Sequence, residues 1–193
     1  MLKKLKNKAG MTLMEMMASL LIMVLLILAM RTGMNTGVQV YNDAAFESHS
    51  ATLAANINTA LTDILRYAQD VKDPTPPQFP PNAAQDYEFV FTNLEYGLRD
   101  AYFTVSDGIL QIRSENNGFQ PKALVNSGSY DKLTIKDDSF SVTYYPEGST
   151  GELTTLENTI TITSGGFFYI CYTLTGPDGQ TRDAEAIVRL MSN

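Results

Sequence analysis

Few residues in this chain have both the type and the setting for chemistry, and Glu15 is the one whose setting most needs a reason. It lies five positions past Gly10, inside residues 11–30, where six Leu, two Ile and one Val leave it as the only charge. A carboxylate in an apolar segment is costly unless a cation meets it. The other candidates read more plainly. His49 is the only histidine and Cys171 the only cysteine. A nucleophile pair needs the two within hydrogen-bond reach, and nothing in their spacing supports that. Cys171 falls in an aromatic-rich strand pattern, where a free thiol acts as a small buried hydrophobe. His49 falls near the polar boundary of a helix. With a single cysteine no intramolecular disulfide can form. Asp107, Asp137, Asp138 and Asp178 stand in turn signals. A calcium loop needs alternating oxygen ligands closed by an acid, and none of these segments has them, so they read as turn aspartates. There is no Gly-x-Ser-x-Gly, no His-Glu-x-x-His and no phosphate-cradling loop. The ten tyrosines alternate mainly within strands and read as packing for sheet faces rather than a sugar-stacking platform. No catalytic residue, cofactor, metal or small-molecule substrate is expected, and the chain is not read as an enzyme.

What must position Glu15 is a helix. Twenty residues of helix rise about 30 Å, the thickness of a bilayer's hydrocarbon core. The Leu, Ile and Val of the run favour insertion by about 3–5 kcal/mol in total. Glu15 sits in the first turn, near the interface, where its charge costs well below the bilayer-centre value. Lys3, Lys4, Lys6 and Lys8 precede the run and only Arg31 follows it closely. The N-terminus is therefore expected to stay in the cytoplasm and the rest to be exported. A cleaved secretory signal would have a shorter apolar region and a small-x-small cut site; Ala29-Met30-Arg31 makes a poor one.

Gly10, an apolar residue at Met11, then Thr12-Leu13-Met14-Glu15 and an apolar helix together resemble the processing site of type IV prepilins and type II secretion pseudopilins. The resemblance covers about residues 1–35 and is specific, because cut site, spacing and apolar run must coincide. It implies that a membrane peptidase cuts between Gly10 and Met11 and methylates the new α-amino group of Met11. It also implies that Glu15, the fifth residue of the processed chain, pairs with the α-amino group of Met11 in a neighbouring subunit of a helical bundle. Met11 stands where the family most often has phenylalanine, a tolerated variation. The apolar run lacks the proline that kinks many major pilins. The implied role is a structural subunit of a type IV pilus, a competence pilus or a type II secretion-like pseudopilus, and the chain's size resembles the larger minor subunits. The implied partners are other pilin or pseudopilin subunits, prepilin peptidase, the inner or cytoplasmic membrane and the assembly platform. The alternative is a signal-anchored extracytoplasmic binding module that does not polymerise.

Beyond the run, apolar side chains recur at Val38, Tyr41, Ala45, Phe46, Leu53, Ile57, Leu61, Ile64, Leu65 and Ala68, one stripe of an amphipathic helix. Asn42, Asp43, Glu47, Ser48, Asn56, Asn58, Asp63 and Arg66 take the other face. Gly33 and Gly37 each cost about 1 kcal/mol in a helix interior, so fraying is expected there. Pro74, Pro76, Pro77, Pro80 and Pro81 rule out continuation, and the helix is expected to reach about Val71. The period then falls to two, with strands expected over 87–92, 101–105, 109–113, 133–136, 140–145, 159–163, 167–174 and 184–190. Ser106-Asp107-Gly108 reads as a three-residue hairpin connection. Asp137-Asp138-Ser139 reads as the turn of a second hairpin and Gly176-Pro177-Asp178-Gly179 as that of a third. A one-faced sheet needs a cover, and the helical stripe is the natural one.

The expected fold is α+β and pilin-like: a long N-terminal helix, membrane half then amphipathic half, packed on an antiparallel, hairpin-rich β-sheet. Its parts are a leader at 1–10, a transmembrane and assembly helix at 11–30, an amphipathic continuation at 31–72, a proline-rich linker at 73–86 and a β-rich extracytoplasmic domain at 87–193. Of the 193 residues 44% are hydrophobic and 18% charged, so the part after the membrane helix can bury its own core. Net charge is −7, and cleavage after Gly10 would remove four lysines against an unchanged 21 acidic side chains. That acidic excess argues against nucleic acid as a partner, since binding its backbone needs clustered Lys and Arg. The expected location is the cell membrane, single-pass with the N-terminus cytoplasmic and the C-terminal domain outside, and then the cell surface or a pseudopilus filament.

Overall fold

The structure, a computed structural model, describes residues 13–72, 90–146, 160–161 and 165–191. Gly10, Met11, the proline-rich linker and the outer parts of the strands expected at 87–92 and 159–163 lie outside the described residues. The chain is α+β: one long N-terminal helix, α1 (Leu13–Leu65), followed by antiparallel sheets. It divides into two compact units, Met1–Ala45 and Phe46–Asn193.

In the first unit the described residues are helical throughout, Gly33 and Gly37 included, so the expected fraying is absent. Every side chain from 13 to 44 is exposed. Val38 and Tyr41, which the apolar spacing assigns to a packed stripe, are 58% and 72% exposed.

In the second unit, the later turns of α1 bury Ser50, Leu53, Ala54, Ile57, Leu61 and Leu65 along one face. The helix ends at Leu65, six residues short of the expected Val71. Gln69 N–H donates to Thr92 C=O at 2.9 Å, which turns the chain into a strand, β1 (Asp70–Lys72). Val71 is fully buried there. The amphipathic continuation expected over 31–72 is thus helix to Leu65 and sheet at its end.

β1 pairs antiparallel with β2 (Val90–Asn93), which pairs with β3 (Leu98–Ser106). β4 (Ile109–Arg113) and β5 (Lys122–Ala123) continue one side of this sheet. β6 (Thr134–Ile135) and β7 (Ser141–Pro146) come next in the chain. β8 (Ile160–Thr161) then closes the other side of the first sheet, giving the order β5-β4-β3-β2-β1-β8. A second sheet is built on β9 (Gly166–Thr175), with β10 (Thr181–Arg189) on one side and both β6 and β7 on the other. The two sheets and α1 share one core. Phe91, Phe103, Leu110 and Ile112 from the first meet Ile170, Tyr172 and Leu174 from the second against Leu53, Ile57, Leu61 and Leu65.

Two expected turns differ. Ser106 pairs directly with Ile109, so the β3–β4 connection is two residues, Asp107 and Gly108, with φ of 54° and 71°. Positive φ at both central positions is the turn whose twist matches the strands. A Cβ on Gly108 would meet Thr134 Cβ at 2.5 Å, so the glycine also lets this hairpin touch β6. The second difference is at Asp137-Asp138-Ser139, which joins no hairpin. Ile135 faces Leu174 and Ser141 faces Cys171 on the same strand, β9. Residues 136–140 therefore bulge opposite only 172 and 173, and β6 and β7 are one interrupted strand. Ser139 fills the gap in the ladder: its Oγ accepts from Thr173 N–H at 3.0 Å and donates to Lys136 C=O at 2.7 Å.

Candidate functional site

Glu15 lies in the first turn of the described helix and is exposed there. Ala18 and Ser19, three and four residues on, share its face. The Ser19 hydroxyl donates to Met16 C=O at 3.0 Å, so it is satisfied within the helix. Thr32 and Thr36 do the same toward Leu28 and Thr32 C=O at 3.0 and 3.1 Å. These back-bonds leave the helix a surface of methyl and methylene groups interrupted by a single acid over residues 13–30. Among the described residues one helix, α1, is long and apolar enough to cross a membrane, and its apolar window has no residue buried inside the chain. Gly10 and Met11, the two residues expected at a processing site with Glu15, lie outside the described residues.

The other reactive residues are kept apart. His49 Nδ1 lies 3.1 Å from Asp131 Oδ2, with both side chains more than half exposed. Cys171 is half-buried rather than buried, with its Sγ 2.9 Å from Ser141 Oγ. Along β9, Phe168, Ile170, Tyr172 and Leu174 point into the core, and Tyr172 reaches α1. Cys171 therefore faces away from the helix that carries His49, and the structure does not bring the two together. Among the described residues no group of three His, Cys, Asp or Glu side chains is arranged to hold a metal ion. Asp107 and Asp178 occupy the β3–β4 and β9–β10 turns, and Asp137 and Asp138 the bulge.

Several polar residues are buried in α1 or tie it to the sheets. Ser50 fits the helical stripe between Phe46 and Leu53; it is fully buried, and its hydroxyl donates to Glu47 C=O at 3.2 Å. Asn93, also fully buried, donates from Nδ2 to Ile64 C=O at 2.6 Å and accepts from Tyr96 N–H at 3.2 Å. It thereby satisfies a carbonyl in the last turn of α1, where intrahelical donors run out. Tyr172 Oη donates to Asn58 Oδ1 at 2.9 Å with Ala54 C=O 3.2 Å away, and Asn58 Nδ2 donates to Glu185 C=O at 3.3 Å. Arg182 Nη1 pairs with the Glu47 carboxylate and donates to Glu47 C=O. Met191 N–H donates to Arg66 C=O at 3.0 Å.

Burial pushes the Tyr172 phenol well above its ordinary range, reinforced by nearby Tyr130 and partly offset by Arg182. Burial raises Tyr130 as well, against the lowering effect of Leu110 N–H, which donates to its Oη at 3.0 Å. Tyr169 is raised by its hydrogen bond to the Glu185 carboxylate, 2.8 Å long. The first two serve packing, and their neutral phenols anchor α1 and β4. The candidate functional site is thus the exposed apolar face of α1 around Glu15, and the second unit is the domain attached to that helix. No protein-family model matches the chain, and no curated protein and no solved structure matches it.

Proposed function

We propose that the chain is a minor pilin or pseudopilin subunit, cut between Gly10 and Met11 and assembled through its N-terminal helix. The observation that carries this reading is the run Gly10-Met11-Thr12-Leu13-Met14-Glu15 at the head of an apolar segment. The shape of α1 supports it. The helix is unbroken, exposed along its first half and committed to a β-rich core on its second, so a membrane anchor and a folded domain would share one element. Glu15 is the acid that the free α-amino group of Met11 in a neighbouring copy neutralises. Packed helices exclude water and lower the local dielectric, so an unpaired Glu15 disfavours any out-of-register docking. The small side chains of Ala18 and Ser19 beside it leave room for that second chain. The membrane would be crossed once, with the β-rich unit outside, and the filament would be a type IV pilus, a competence pilus or a type II secretion-like pseudopilus.

Mass spectrometry of the N-terminus in cells that possess the peptidase tests the proposal. The expected result is a chain beginning at N-methyl-Met11. An uncut chain beginning at Met1 would overturn it and leave a signal-anchored binding module.

A further inference from the structure

We draw no further inference here: the strongest candidate, the solvent-facing side of the four-stranded sheet where Tyr145 stacks on Phe167 beside Tyr169 and the exposed Ile187, is an unpartnered apolar face, and nothing in the structure shows what covers it.

Discussion

At the scale of single residues, two side chains matter: the Glu15 carboxyl and the Tyr172 phenol. Glu15 is the only charge in residues 11–30. If its purpose is to meet an α-amino group in an assembled bundle, Glu15→Ala should leave cleavage intact and block entry into filaments. Removing a charge from an apolar helix makes membrane insertion easier, here by well under the roughly 2.5–3.5 kcal/mol of an acid at the helix centre. Loss of assembly would therefore not be loss of anchoring. The processed chain should accumulate in the membrane fraction with none in sheared filaments, and unchanged incorporation would defeat the pairing argument. Tyr172 works through its neutral form. Its raised pKa means that below about pH 10 the phenol is protonated in folded and unfolded chains alike, and its full contribution to stability is present. As the pH climbs past 10, only the unfolded chain releases the proton, so stability falls. Tyr172→Phe should cost about 1–2 kcal/mol near neutral pH, because Asn58 loses its donor. It should also flatten the decline above pH 10. Urea unfolding of the detergent-solubilised chain at pH 8 and pH 10.5 reads both effects.

At the scale of elements, glycines in two settings should answer oppositely to the same substitution. Gly108 combines a φ of 71° with Thr134 against its open side. Gly108→Ala should destabilise the second unit by about 2 kcal/mol or more, from backbone strain plus displacement of β6. Gly33 and Gly37 lie in regular helix with nothing within 4 Å of an added Cβ. Alanine at each should strengthen α1 by up to about 1 kcal/mol, seen as slower hydrogen exchange over residues 31–41. The same elements show what a sequence carries on its face. α1 was legible because its stripe keeps helical spacing from Leu53 to Leu65, and the β9–β10 hairpin because Gly176-Pro177-Asp178-Gly179 interrupts two alternating runs. β1 was not legible: Asp70-Val71-Lys72 offers one apolar side chain, and its strand character comes from pairing with Phe91 and its neighbours. The bulge at 136–140 reads locally as a hairpin turn because Asp138, at φ 61°, supplies the same local chemistry to either structure. The partner that decides between them, β9, lies about thirty residues further on. Glu15 needed no structure to be noticed, since its oddity is local. Asn93 is not legible because polarity alone points to the surface, and only its bonds to Ile64 C=O and Tyr96 N–H explain its burial.

At the scale of the whole molecule, burial is divided as sharply as composition. All the buried apolar residues of the described chain lie at or beyond Leu53, inside the unit Phe46–Asn193. The residues before it expose Leu, Ile, Val and Met along more than two turns of helix in every direction, a surface that lipid or other helices can cover and water cannot. The buried contacts of α1 that hold the fold therefore lie on its later stretch, and the described residues before it add none of them. A chain beginning at Phe46 should be soluble without detergent and unfold in a single cooperative transition. It keeps the core, the Asn93 and Tyr172 ties and the Arg182–Glu47 pair. Its midpoint should match that of the full chain in detergent to within a few degrees, because about 1 kcal/mol shifts a domain of this size by roughly 2–8 °C and the described residues it lacks, 13–45, contribute nothing buried. Differential scanning calorimetry with near-ultraviolet circular dichroism makes the comparison. If the fragment instead lost its near-ultraviolet signal while keeping secondary structure, the first unit would be part of the fold, and the separation between an exposed apolar helix and a domain that folds without it would fail.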